Sequence, residues 1–225
     1  MTEQLNVQQM AEKLLAADNI LILCHKNPDG DTVGCGSALY YALLALEKHA
    51  AVLCADPIPG RYAFTNPRLF KGEFEPQIVV AVDVASVQLF GEGNGVPQYT
   101  RHVDLCIDHH PSNALYAGDT LLHAEKSACG EAVLDVIELL TGSVTEQEAN
   151  LLYIAVTTDT GCFRFNNTTA DTLRCAAACK DTGADTFAIN TALFMTKRLP
   201  RLQLEACLTE EMEFYAGGAV AVNTL

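Results

Sequence analysis

The chain has 225 residues, a formal net charge of -14 and 49% hydrophobic residues, enough to bury a sizeable core and too apolar for a disordered protein. The charge argues against a surface that grips long nucleic-acid duplexes, which needs a broad basic face, and leaves small anionic substrates where a metal supplies positive charge locally. No apolar run reaches the ~18 to 20 residues that span a bilayer, and nothing like a signal peptide precedes the nine cysteines. Reduced thiols in the cytoplasm and no membrane partner are therefore expected.

In chain order, Val7, Met10, Ala11, Leu14 and Leu15 recur at helical spacing and predict an amphipathic helix ending near Asp18. "ILILC" from Ile20 is a continuous apolar run and reads as a central strand buried on both faces. Pro28 and Gly30 break "KNPDGD", and a helix resumes at "TVGCGSALYYALLALEKH", its small residues Gly34, Gly36, Ser37 and Ala38 permitting close approach to the strand. Further apolar runs follow in "AVLCA" at 51–55, "IVVAVD" at 78–83 and "VDLCIDHH" at 103–110. Helices are expected at about 128–140, from about 146 to 157 behind a Thr145/Glu148 capping box, and at about 169–181 closed by Gly183. Strands alternating with helices predict an α/β domain over 1–185, with a mainly parallel sheet covered by helices on both faces. After it come linker helices at 186–210, interrupted at Pro200, and a hairpin at 211–225 with Gly217 and Gly218 in its turn, which reads as a fragment of a second α/β domain.

In such sheets, binding sites gather beyond the carboxyl ends of the strands. The first run delivers His25, Asp29 and Asp31 there; the third delivers Asp83, the fourth Asp108, His109 and His110, and the turn after the Thr145 helix brings Asp159. Crowded carboxylates repel one another unless protons or cations hold them together. Aspartates mixed with histidines suit hard divalent ions with some nitrogen character, Mn²⁺ better than Ca²⁺. The supply of ligands exceeds what one ion needs and fits two ions about 3.5–4 Å apart that share a carboxylate and activate a water.

Taken singly, each piece has a plainer reading: Asp29 and Asp31 as a solvated turn, Asp83 as a helix cap, and His49, His102 and His123 as histidines without comparable acidic company. Cys175 and Cys179 share a helical face and read as core packing, since no second Cys or His pair with zinc spacing accompanies them. "DGDTVGCGS" lacks a P-loop lysine, Tyr40 stands where an EF-hand starting at Asp29 needs Glu, and "GEGNG" at 91–95 lacks dinucleotide-loop spacing and reads as a flexible turn. Neither a nucleophile elbow nor a cysteine-protease signature occurs.

Together, "HKNPDGDTVG", "VAVDVAS", "DHHPSN" and "TDTGCFRFNNTT" resemble, in order and spacing, the four signature segments of the DHH phosphoesterases, whose name matches Asp108, His109 and His110. The branch it is most similar to includes nanoRNases, phosphoadenosine-phosphate phosphatases and stand-alone cyclic-dinucleotide phosphodiesterases. The resemblance implies that His25, Asp29 and Asp83 hold one Mn²⁺, and that Asp31, His109 and Asp159 hold a second with Asp83 bridging; Mg²⁺ or Co²⁺ are the substitutes. A bridging hydroxide would attack phosphorus in line. His110 would face the substrate phosphate as donor or acid, Asp108 would orient a ligand histidine, and Arg164 would meet phosphate or serve as a structural cation.

The resemblance implies a short oligonucleotide or small nucleotide as partner, and a homodimer is compatible with it. Members of this branch carry a second domain that grips the far end of the substrate, and the sequence ends within what resembles its first hairpin, at "AVAVNTL". Three readings stay open: a Mn²⁺-dependent phosphoesterase of short nucleotides, a pyrophosphatase or exopolyphosphatase with the same ligands, and an inactive metal-binding module lacking its clamp.

Overall fold

The apolar runs assemble into one sheet because their β-branched and aliphatic side chains are buried on both faces, which a covered parallel sheet permits. In the computed structural model, which describes residues 3–65 and 74–223, the strands are β1 (Glu3–Gln4), β2 (Ile20–Leu23), β3 (Ala50–Leu53), β4 (Ile78–Val82), β5 (Leu105–Asp108) and β6 (Asp119–Leu122). Their order is β1-β6-β5-β4-β2-β3, and every pairing is parallel. The α/β class is as expected. Strand β2 lies one in from the β3 edge rather than at the centre. From β2 the chain runs to β3 on one side, then crosses back to β4 on the other, so the topological switch falls between β2 and β4.

The helices are α1 (Val7–Ala16), α2 (Gly30–Ala45), α3 (Cys129–Thr141), α4 (Glu146–Asp159), α5 (Ala170–Thr182), α6 (Thr186–Asn190) and α7 (Leu199–Glu210). Helix α2 packs on α3 and α4, α1 on α3, and α4 on α5. The alternate side chains Leu21, Leu23, Val79 and Ala81 meet a second cluster with Phe90, Val96, Val103 and Ala117. Among the described residues, these partners come from connecting segments and short 3₁₀ turns, and Ala51, Leu53 and Cys106 of the neighbouring strands complete the cluster. The "GEGNG" segment between Phe90 and Val96 is largely exposed; Gly91 and Gly95 have φ of 77° and 75°, and a Cβ on Gly93 would lie 2.2 Å from the Ala55 carbonyl oxygen.

Helix α2 starts at Gly30, two residues earlier than the broken loop suggested, because Asp29 caps it: one carboxylate oxygen accepts from the Asp31 and Thr32 amides. Helix α4 runs on to Asp159, its last residue. These two helices are antiparallel and unusually close. A Cβ on Gly30 would strike the Thr158 side chain at 2.4 Å, and one on Gly34 would lie 2.4 Å from the Leu151 carbonyl oxygen. The start of α2 and the end of α4 therefore meet above the sheet. Cys175 and Cys179 are buried on α5, as core residues should be.

The chain divides into two compact units, 1–189 and 190–225. In the second, a π turn (Thr191–Met195) precedes α7, where Pro200 lies in the first helical turn instead of breaking a helix. Strands β7 (Glu213–Tyr215) and β8 (Val220–Val222) form the expected antiparallel hairpin. Helix α7 and both strands have no buried residue.

Because the Gly34 contact is with backbone, it cannot be relieved by a side-chain rotation. Gly34→Ala is expected to lower the free energy of unfolding by about 1–3 kcal/mol, read from urea denaturation. Gly60→Ala, where the added Cβ meets nothing within 4 Å, should change it by about 0.5 kcal/mol or less.

Candidate metal centre

His25 follows β2 and Asp83 follows β4, so the two strands flanking the switch each end in a candidate ligand. Asp83 is buried and has φ 59°, a left-handed conformation that a residue with a Cβ rarely adopts. Its amide donates to the Ile107 carbonyl at 2.9 Å, which ties the turn to β5. So held, its carboxylate faces two ways: Oδ2 lies 3.7 Å from His25 Nε2, and Oδ1 lies 3.6 Å from His109 Nε2.

Both rings are oriented by a main-chain carbonyl. His25 Nδ1 donates to the Lys26 carbonyl at 2.7 Å and His109 Nδ1 to the Lys126 carbonyl at 3.2 Å, because a carbonyl can only accept. Each Nε2 is thereby left to face the carboxylates, the arrangement found at metal-ligating histidines. His25 Nε2 lies 3.4 Å from Asp29, and His109 Nε2 lies 3.7 Å from Asp31 and 3.4 Å from Asp159.

Asp31, in the first turn of α2, is fully buried. Its carboxylate accepts from the Cys129 and Gly130 amides at 2.6 and 2.9 Å, and from the Cys35 thiol at 3.1 Å. It thus caps α3, whose own N-cap, Ala128, has no side-chain acceptor. Burial and the Asp159 carboxylate push the Asp31 pKa up to about 7, against the pull of His109. Burial also pushes Asp83 well above the usual carboxylate range, with Asp31 adding to it. Asp159 ends α4, where the helix dipole disfavours a carboxylate and favours a cation. For His109 burial works against the charged ring, but Asp159 and Asp31 prevail and raise its pKa to about 9.

Three sets of side chains bring their ligand atoms within 4.8 Å of one another: His25, Asp29 and Asp83; Asp31, His109 and Asp159; and Asp83, His109 and His110. The first two are the sets the resemblance implied. Asp83 Oδ1 and His109 Nε2 are buried without a hydrogen-bond partner. Unpaired polar atoms of this kind are costly in a fold, and both point into the cluster, so the donor set fits divalent cations.

Asp108 has a different partner from the expected one. Its Oδ1 accepts from His110 Nδ1 at 2.7 Å and from the His109 amide at 2.9 Å, while Asn113 donates to Oδ2 at 2.6 Å. It orients His110 and not the ligand ring of His109. Although burial raises its pKa, the His110 and Asn113 contacts hold it below the usual value. Arg164 is exposed, and its Nε donates to the Gly161 carbonyl at 2.6 Å. His49, His102 and His123 do have acidic neighbours, Asp18, Asp104 and Glu125, but none belongs to the three sets. Sequence reasoning missed Cys35, Asn113, the Lys126 carbonyl and the Cys129 and Gly130 amides. Asn113 stood within "DHHPSN"; the backbone groups carry no sequence signal.

The model of the DHH family, N-terminal domain, matches residues 19–156. The chain belongs to the DHH family. Among curated relatives, this DHH chain is 34% identical over 176 residues to the bifunctional oligoribonuclease and PAP phosphatase NrnA of Thermus thermophilus, covering 75% of the chain and 52% of the relative. It is 25% identical over 173 residues to the protein of the same name from Mycoplasma genitalium, covering 75% of the chain and 54% of that relative. The DHH chain thus spans about half the length of these relatives. An exopolyphosphatase-related protein from Bacteroides fragilis shares the fold with a TM-score of 0.86 at 21% identity, over 97% of this chain and 68% of that one. A putative family II inorganic pyrophosphatase from Methanococcus jannaschii gives 0.57 at 18% identity, over 77% and 60%. No helix among the described residues is long and apolar enough to cross a membrane.

The raised pKa values have a definite sign. His109, lifted above 6.5, stabilises the metal-free fold below that pH and loses the contribution as pH rises through about 9; Asp31, lifted above 3.8, destabilises it progressively up to about pH 7. The metal-free chain should therefore melt at a lower temperature near pH 9 than near pH 6, and added Mn²⁺ should recover more of the loss at the higher pH. Mn²⁺ binding at pH 7 should release protons, seen as a calorimetric heat that changes with the ionisation enthalpy of the buffer. A buffer-independent heat would contradict these pKa shifts.

Proposed function

We propose that this chain holds two divalent cations, preferably Mn²⁺, and hydrolyses phosphate esters of short nucleotides: oligoribonucleotides of a few residues, linear cyclic-dinucleotide products or 3'-phosphoadenosine 5'-phosphate. The observation that carries the reading is the divided carboxylate of Asp83, one oxygen toward His25 and the other toward His109. His25 and Asp29 complete one ion site; Asp31, His109 and Asp159 complete the other. Cations held by these residues would neutralise phosphate charge and supply a water of lowered pKa as nucleophile. The oligoribonuclease and PAP phosphatase activities for which the NrnA relatives are named support the substrate class.

The chain's own residues supply the rest. The Lys26 and Lys126 carbonyls keep both rings in the metal-binding tautomer. Asp108 engages His110 Nδ1, so we read that residue as a substrate group and not a ligand, with Nε2 donating to the phosphate or the leaving oxygen. Arg164, two residues beyond Cys162 in the turn after Asp159, is read as a phosphate contact. The helices at 186–210 are read as a linker and the hairpin at 211–225 as the start of a second, substrate-clamping domain, and the protein as cytoplasmic.

The deciding assay compares a diribonucleotide, 3'-phosphoadenosine 5'-phosphate, a linear dinucleotide and pyrophosphate with and without Mn²⁺. Turnover of the nucleotides that disappears on chelation is expected; preferential release of phosphate from pyrophosphate would move the activity to phosphoanhydrides. Asp83→Asn and His109→Ala should lower kcat/KM by more than the roughly 10–100-fold that outer partners of a metal site cost. His110→Ala should lower kcat while leaving the bound Mn²⁺, counted by atomic absorption, unchanged.

A further inference from the structure

The three ligands of the Asp31, His109 and Asp159 set come from three different elements, yet all are steered from one short segment. Between residues 126 and 130 lie the Lys126 carbonyl that accepts from His109 and the Cys129 and Gly130 amides that bind Asp31. Asp159 is reached through Asn167, whose Nδ2 donates to the Asp159 carbonyl at 3.2 Å and to the Ser127 carbonyl at 3.4 Å. The Ser127 hydroxyl in turn donates to the Asn167 carbonyl.

What holds the segment is a buried carboxylate with no part in the site. Glu131 Oε1 accepts from the Ser127 amide at 2.9 Å and from the Thr172 hydroxyl at 3.1 Å; Thr172 Oγ1 also lies 2.7 Å from Ser127 Oγ. Glu131 is 2% exposed, Ser127 3% and Thr172 0%. A carboxylate is costly to bury without such donors, and a satisfied polar network rigidifies what it joins. The His25, Asp29 and Asp83 set is held by other groups: the Lys26 carbonyl, the Asp31 and Thr32 amides and the Ile107 carbonyl that accepts from the Asp83 amide.

We propose that Glu131, with Ser127, Thr172 and Asn167, forms a positioning network that sets the affinity of the Asp31–His109–Asp159 ion site and reaches the other site only through the divided Asp83 carboxylate and the Asp31 amide. The inference rests on the two-ion reading above. Loss of an outer partner typically costs a metal site 10–100-fold in affinity, and here one network serves three ligands at once.

The test is Mn²⁺ titration of the full chain, followed by calorimetry and by the electron paramagnetic resonance of free and paired Mn²⁺, with Asp159→Asn marking which binding step belongs to this site. In Thr172→Val and Glu131→Ala that step should weaken by about 10–100-fold and the paired-ion signal fade, while the other step stays within about twofold; Thr172→Ser and Glu131→Gln, which keep an acceptor or donor in place, should retain both. If Glu131→Ala fails to fold by circular dichroism, Thr172→Val decides. Equal weakening of both steps, or no change in either, overturns the network's role. A wild-type chain that binds fewer than two ions overturns the two-ion reading itself, and the inference with it.

Discussion

Like charges brought together out of water must be compensated, and the fold of the first unit is organised around that constraint. Parallel strands and the switch between β2 and β4 deliver several carboxylates to one edge, where Asp31 and Asp83 are buried. Left alone, they can exist only by binding protons, which is what the raised pKa values of Asp31, Asp83 and His109 describe. On the proposed reading, a divalent cation would take over the compensation that protons supply in the metal-free cluster. The left-handed backbone at Asp83 belongs to the same arrangement, since an extended residue there would not turn the two carboxylate oxygens toward two different rings.

Much of this could be read from residue order. Runs such as "ILILC" and "IVVAV" announce buried strands because nothing polar interrupts them, and their ends announce the ligands because charged residues directly after such runs have few other places to go. Strand β6 escaped notice because "DTLL" is short and opens on polar residues, and β1 because two residues carry no pattern. The 3₁₀ turns beside Phe90 and Val96 also escaped notice, because their residues lack helical periodicity. Asp108 shows a finer limit. Its neighbours in sequence, His109 and His110, are both within reach, and only the turn geometry selects the second ring through its Nδ1.

The thiols near the centre invite a softer metal, and their environment refuses it. Burial drives the Cys35 pKa well above its ordinary value, and that of Cys129 to about 11. Cys35 can donate to Asp31 only while it keeps its proton. The three candidate sets contain only carboxylates and imidazoles, and the sulfur atoms beside them are small buried groups with weak donor character.

Asp29 and Asp31 stand at the start of α2 and Asp159 at the end of α4, so the gap between these ligands is inherited from how closely two helix axes approach. The glycines that allow this approach lie along α2, with Gly34 three residues beyond Asp31, against the Leu151 carbonyl oxygen. On the two-ion reading proposed above, the helix pair would act as a gauge for ionic radius. Mn²⁺, Mg²⁺ and Ca²⁺ differ in preferred metal–oxygen distance by a few tenths of an ångström, so the spacing of the α2–α4 seam would bear on the choice among them from residues outside the ligand set.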